Sequence, residues 1–190
     1  MKNVTVGVRI LQALTAAIVL ALSVNAIRWQ QIGTAPATTG FSAFVGAFGI
    51  FAALIGVVGL YISLVPDTAV IVIDGLAVAC FAVAGVTLSV RMRGMNCTRA
   101  SVAAHYKDHA NAFALFNSGY KDDPVKGPVY GCAPSSEDNE YCDVPALVSK
   151  CHAITADAAF LWFTFLACIV ATVLAWRLRK RSGISSSSAA

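Results

Sequence analysis

The fold of this chain is decided at Phe41–Val65, where the sequence reads FSAFVGAFGIFAALIGVVGLYISLV without a charged residue. A helix needs about 20 apolar residues to cross a hydrocarbon core about 30 Å thick, so this stretch is long enough to span a bilayer. Its backbone amides would find no water there, and a helix satisfies all of them within one segment. The sequence therefore predicts a membrane-spanning helix.

Three further stretches have the same character and lie at Ile10–Ile27, Thr68–Val90 and Ala153–Trp176. Hydrophobic residues make up 57% of the chain and its mean hydropathy is +0.70, which leaves too little polar surface for a soluble fold. We therefore predict an all-α membrane protein, a four-transmembrane-helix bundle over residues 1–181. The basic start of the first span leaves a cleaved secretory signal as the alternative for that span.

The only sizeable polar segment is the loop 91–152, which holds four of the six cysteines: Cys97, Cys132, Cys142 and Cys151. Four loop cysteines fit two disulfides, which need an oxidising compartment. We therefore expect the loop to be extracellular and both termini to be cytoplasmic, in a plasma membrane. The raw count of basic residues opposes this orientation, but the positive-inside rule weakens for loops of this length.

The disulfide pairing has three possible connectivities. Cys97 and Cys151 each lie within a few residues of a predicted helix end, so a nested arrangement would join them and pair Cys132 with Cys142. The other two connectivities stay open. A zinc site using these thiols with His105, His109 or His152 is the rival interpretation, although no CxxC-type spacing supports it.

Two acidic residues, Asp74 and Asp157, lie inside predicted spans, where a charged side chain is costly and is usually paired or functional. Arg9 enters the first span at the same membrane side as Asp74. Arg28, Arg91 and Arg93 lie at the same side as Asp157. We expect intramembrane ion pairs or lipid headgroup contacts, with lipid or proton binding as the alternative.

Small residues recur along one face of the second span, at Gly49, Ala52, Gly56 and Gly59. Such faces let membrane helices approach closely. Packing within one bundle is one interpretation. The functional interpretation, which we carry forward as a prediction, is that this face self-associates in a homo-oligomer.

The segment after the last span is basic, with Arg177, Arg179, Lys180 and Arg181 and no acid. Such clusters attract anionic lipid of the inner leaflet. We expect the serine-rich tail 182–190 to be disordered. In the large loop we predict a helix over Ser101–Phe116 and no regular structure over Pro124–Pro145.

No nucleotide-binding loop, nucleophile elbow or metal-enzyme signature occurs in the sequence. We therefore expect no enzyme activity, no cofactor, no metal and no nucleic-acid partner. A transporter of small solutes or lipids, and an adhesion or receptor module acting through the outer loop, are the alternative functions.

Two helix starts carry a family resemblance: RILQ at Arg9–Gln12 and CHAITADAAFLWF at Cys151–Phe163. With the four-span plan, they resemble fungal MARVEL (membrane-associating) domain proteins, similar to the non-classical export and eisosome-associated family. The resemblance implies a non-enzymatic organiser of plasma-membrane domains that is linked to sphingolipid balance. As partners we expect further copies of the chain and membrane lipids, including sphingolipid, sterol and anionic inner-leaflet lipid. The long four-cysteine loop departs from the compact members of that family.

Overall fold

The computed structural model describes residues 2–30, 34–61, 66–98, 114–116, 120–124, 127–130 and 144–187. Its four long helices are α1 (Lys2–Arg28), α2 (Ala37–Tyr61), α3 (Asp67–Arg91) and α4 (Val144–Ser187). Each contains a stretch long and apolar enough to cross a membrane: Asn3–Arg28, Ala37–Tyr61, Thr68–Arg91 and Pro145–Arg177. The predicted all-α, four-span architecture is confirmed.

The helices form a ring in which α1 packs on α2, α2 on α3, α3 on α4 and α4 on α1. Pro66 precedes α3 with an extended backbone (φ −64°, ψ 133°), where the sequence predicts a break between the second and third spans. We call the end with Lys2 and Arg177 the terminal end of the bundle. The opposite end, where α1 and α3 finish, is the disulfide end.

Helices α1 and α2 approach closely at positions where α2 carries glycines. A Cβ atom built on Gly46 would lie 2.8 Å from the backbone nitrogen of Leu20, and one on Gly49 would lie 2.9 Å from the Cβ of Ala16. Any larger residue at either position would push the helices apart. These contacts also fix the antiparallel register of α1 and α2.

The bundle core is built from small and branched side chains, with a few large ones filling its middle and its disulfide end. Phe81 and Leu161 are completely buried in the middle, and Leu115 and Phe116 are completely buried from the described fragment 114–116 of the large loop. This fragment therefore packs on the bundle.

Two parts of the chain differ from the sequence-based predictions. A short antiparallel hairpin pairs β1 (Tyr120–Asp123) with β2 (Gly127–Tyr130), so the segment Pro124–Pro145 does contain regular structure. The strands were missed because four residues with mixed polarity carry no clear alternation. Residues 114–116 of the predicted helix Ser101–Phe116 are helical, and its remainder lies outside the described residues.

Helix α4 is longer than its apolar stretch at both ends. It begins before Ala153, at Val144, and continues past Trp176 to Ser187. The helix therefore includes residues 182–187 of the tail 182–190, and 188–190 lie outside the described residues. Extending an existing helix adds a hydrogen bond for each residue fixed, so helical structure propagates into sequence that would not nucleate it.

Candidate functional site

A buried polar cluster links three helices in the terminal half of the bundle. We call it the Arg9 cluster; its members are Arg9, Gln12, Asp74 and Cys168. Arg9 of α1 donates from Nη1 to Asp74 Oδ1 and from Nη2 to Asp74 Oδ2 of α3, a bidentate pair with both distances at 2.5 Å. Both side chains are at most 1% exposed. The predicted pairing of Arg9 with Asp74 is confirmed.

Gln12 extends this cluster to α4. Arg9 Nη1 also donates to Gln12 Oε1 at 3.1 Å, and Gln12 Nε2 donates to Cys168 Sγ at 3.3 Å. Sequence analysis did not identify this contact between Gln12 and Cys168. The i, i+3 spacing of Arg9 and Gln12, which places both on one helix face, was the available signal.

Helix α2 borders this cluster with a glycine, Gly56, which leaves room for the Arg9 side chain. The Arg9 guanidinium lies directly against Gly56, where a Cβ would overlap Arg9 Cζ and Nε. Gly56 is therefore needed to seat the guanidinium beside Asp74.

This placement overturns the predicted self-association face on α2. Gly49, Ala52 and Gly56 are buried inside the bundle, where Gly49 packs against Ala16 and Phe81, and Gly59 is half-buried. Because α1 and α3 cover this face in a single copy of the chain, a second copy cannot reach it. The bundle-packing interpretation is the right one.

The second buried acid, Asp157 of α4, lies toward the disulfide end. It is 1% exposed, and its Oδ2 accepts a hydrogen bond of 2.8 Å from Ser23 Oγ of α1. Among the described residues, its Oδ1 has no hydrogen-bond partner. The predicted pairing of Asp157 with Arg28, Arg91 or Arg93 is therefore not found there.

The arginines at this end of the bundle lie at or just beyond the ends of α1 and α3. Arg28 and Arg93 are exposed and Arg91 is half-buried, whereas Asp157 lies in the interior. Sequence position gave the correct end of the bundle but not the rotation of each helix. Ser23, the true partner, was visible only as a polar residue inside an apolar stretch.

The large loop is attached to the bundle by a disulfide. Cys97, after α3, is bonded to Cys151 of α4, which confirms this part of the predicted nested pairing and excludes both thiols as zinc ligands. Gly94 (φ 82°) provides the left-handed turn through which the chain leaves α3 toward Cys97. Cys132, Cys142, His105 and His109 lie outside the described residues.

Other contacts hold the disulfide end together. Lys150 Nζ lies 5.7 Å from the centre of the Trp29 ring, and Gln30 Nε2 donates to the Leu115 carbonyl at 3.4 Å. The disulfide end is therefore a packed cap that involves α1, α4 and the loop fragment 114–116.

At the terminal end, α4 carries the basic cluster beyond the span. Arg177 and Lys180 are exposed, and Lys180 Nζ lies 5.8 Å from the centre of the Trp176 ring. The side chains of Arg179 and Arg181 lie outside the described part of the chain. Tryptophan beside a cation is typical of a membrane–water boundary.

The outer surface of the described ring is apolar. We call it the lipid-facing surface; among its exposed large side chains are Ile10, Leu14, Phe44, Phe51, Leu76, Val83, Phe163 and Leu166. Phe41, Phe44, Phe48 and Phe51 form a row of neighbouring rings along α2, with centroids 6.1–6.5 Å apart. Such a surface suits lipid tails or other membrane helices.

Comparison with known proteins gives one family match. The model of the MARVEL membrane-associating domain matches residues 2–174, which include all four spans. No curated protein and no solved structure matches the chain.

Proposed function

This chain belongs to the MARVEL family of membrane-associating domains, and from that premise we propose that it is a non-enzymatic organiser of membrane domains. The observation that supports this role most strongly is the separation of polar and apolar groups in the bundle. Arg9 and Asp74 satisfy each other inside, while the lipid-facing surface is apolar on all four helices. A protein built in this way interacts with lipids and with other membrane helices laterally, in the plane of the membrane.

The proposed location is the plasma membrane, with both termini in the cytoplasm and the disulfide end outside. The Cys97–Cys151 bond supports this orientation, because a disulfide persists in an oxidising compartment. Arg177 and Lys180 would then lie at the inner leaflet, where exposed cations attract anionic lipid.

The proposed partners are membrane lipids, including sphingolipid and sterol, and further copies of the chain. Because the small-residue face of α2 is buried, self-association would use the lipid-facing surface. The finer proposal is an eisosome-like role, in which the protein concentrates in static plasma-membrane patches that depend on sphingolipid.

Live imaging of the tagged protein in its own cell, before and after a block of sphingolipid synthesis, tests this function. We expect static plasma-membrane patches that disperse or reorganise after the block. A tagged single-span protein in the same cell controls for general membrane damage. An even distribution that the block does not change would contradict the proposal.

Transport of a small solute is the second candidate, and the buried Asp157 is the observation that favours it. A transporter should give substrate-dependent flux in proteoliposomes that Asp157→Asn reduces, with Arg28→Gln as a control on an exposed charge. Absence of flux for every solute offered, with the protein intact in the vesicles, would remove this candidate.

A further inference from the structure

Asp157 differs from the other buried acid in having no countercharge among the described residues. The Arg9 guanidinium neutralises Asp74 with two hydrogen bonds. Asp157 is equally buried, yet its hydrogen bond comes from the neutral hydroxyl of Ser23. A buried carboxylate cannot keep its negative charge in an apolar interior unless a positive charge joins it.

The side chains at this level of the bundle carry oxygen atoms. Gly46 touches Leu20 and Gly49 touches Ala16, so one helical turn toward the disulfide end places Ser42 of α2 at the level of Ser23 of α1. Ser42 and Thr39, one turn further along, are each 1% exposed. Thr39 Oγ1 and Asp157 Oδ1 are both buried without a hydrogen-bond partner in the described residues.

The charged groups nearby do not fill the role of countercharge. On α1, Arg28 is exposed; on α3, Arg91 is half-buried at the helix end; on α4, His152 is exposed and Lys150 lies over Trp29. Between Ala37 and Leu60, α2 has no ionisable residue. Of the described side chains, Ser23 is the one that donates a hydrogen bond to Asp157.

We propose that Asp157 and Ser23 form the centre of an occluded site that holds one monovalent cation, a proton or Na⁺, in the bundle interior. Carboxylate and hydroxyl oxygens are hard ligands, which suit such cations and not soft metals. Thr39 and Ser42 of α2 are also buried toward this end of the bundle, and Ser42 Oγ donates to the Thr38 carbonyl at 3.0 Å. This binding function is independent of the proposed lateral organisation.

Apolar side chains cover the site from the disulfide end. On the buried face of α4, Ile154 and Cys151 precede Asp157, and on α1 Ala26 follows Ser23. Leu115 and Leu147 belong to the same buried cluster. These side chains close the site on that side, so a cation bound there would stabilise the folded bundle.

Thermal unfolding of the purified protein in lipid nanodiscs tests the site. Two series are measured: pH 5 to 9 in choline buffer, and rising Na⁺ at pH 9 with choline keeping the ionic strength constant. Because burial disfavours the bare carboxylate in the folded state, stability of the wild type should fall as pH rises without Na⁺. At pH 9 added Na⁺ should restore it with the logarithmic dependence expected for one bound ion.

The variants decide whether Asp157 carries the effect. Asp157→Asn keeps a similar shape without the charge, so it should flatten the pH series and the Na⁺ series. Ser23→Ala should weaken both, and Ser89→Ala, an exposed serine of α3, should leave both unchanged. Recovery by acid but not by Na⁺ would identify the proton as the ligand; recovery by both would show that Na⁺ also binds.

Two results would overturn the proposal that Asp157 and Ser23 bind a cation. One is a wild type whose unfolding depends on neither pH nor Na⁺. The other is an Asp157→Asn variant with the same dependence as the wild type. If Asp157→Asn does not fold, Ser23→Ala decides, and an unchanged dependence in that variant would contradict the proposal.

Discussion

At the scale of single residues, the buried pair Arg9–Asp74 is the strongest polar interaction in the described bundle. Its two hydrogen bonds hold α1 to α3, and the Gln12 contact carries the link on to α4. Removing one member would leave the other charged in the interior, which is far more costly than removing both.

We therefore predict that Arg9→Met or Asp74→Leu alone destabilises the bundle by about 3–5 kcal/mol. The double variant should recover most of that loss, because no unpaired charge remains. Reversible unfolding in mixed micelles measures all three, with Arg28→Met as the control for loss of an exposed arginine. Additive losses in the double variant would contradict the pairing.

Gly56 and Gly75 give a matched pair of substitutions. A Cβ on Gly56 meets the Arg9 guanidinium, whereas nothing lies within 4 Å of one on Gly75. We expect Gly56→Ala to cost about 1–3 kcal/mol through overpacking. Gly75→Ala should be neutral or stabilising by up to about 1 kcal/mol. Equal effects on the unfolding free energy would show that Arg9 does not lie against Gly56.

The sequence predicted a buried pair correctly only where the positions of the two residues along their helices were enough to bring them together. Arg9 and Asp74 enter their spans from the same membrane side, and each has a buried face, so their pairing followed. Asp157 and its arginines also share a membrane side, but helix rotation turns Asp157 inward and Arg28 outward, and Arg93 lies beyond the end of α3. Rotation depends on packing between helices, which an apolar sequence specifies weakly.

At the scale of whole elements, the Cys97–Cys151 disulfide joins the end of α3 to α4 across the large loop. The bond closes a chain separation of 54 residues, for which the chain-entropy model gives about 4 kcal/mol of stabilisation. The loop fragment 114–116 and the start of α4 pack at the same end.

We predict that Cys97→Ser and Cys151→Ser each lower the unfolding free energy by up to about 4 kcal/mol. The double variant should lose no more than either single variant, because both remove the same bond. Chemical unfolding under oxidising conditions measures this, and Cys80→Ser, a free cysteine of α3, is the control. Additive effects of the two substitutions would show that the thiols are not bonded to each other.

The elements also show what apolar length can and cannot predict. Uninterrupted apolar stretches located all four spans, because a membrane requires them. They did not locate the ends of α4, since its C-terminal extension is polar and its N-terminal extension is interrupted by Pro145, Lys150 and His152. The small-residue face of α2 predicted close packing correctly but gave no sign of which helix would cover it.

At the scale of the whole molecule, the bundle has an apolar outer surface around a mostly apolar core that contains a few buried polar side chains. Phe44, Phe48 and Phe51 form a row of rings on α2, and Phe44 and Phe51 are exposed on the lipid-facing surface. If the protein organises membrane laterally, the lipid-facing surface determines which lipids and helices it binds, and the packed interior determines its free energy of unfolding.

We predict that Phe44→Leu with Phe51→Leu changes the distribution of the protein in the membrane but not its unfolding free energy beyond about 1 kcal/mol. Exposed side chains away from packed features contribute little to stability. Patch imaging and unfolding of the same variant provide the two measurements. Phe81→Leu, in the core, should show the reverse pattern. Unchanged patches in the surface variant would exclude the aromatic row from lateral recognition.

The most direct test of membrane organisation uses the purified, labelled protein in giant vesicles. The vesicles contain sphingolipid, sterol and unsaturated phosphatidylcholine, so that ordered and disordered phases coexist in one bilayer. The measured quantity is the ratio of protein fluorescence between the two phases. We predict that the protein concentrates in one phase and shifts the boundary temperature of phase separation. An equal distribution with an unchanged boundary temperature would contradict the account.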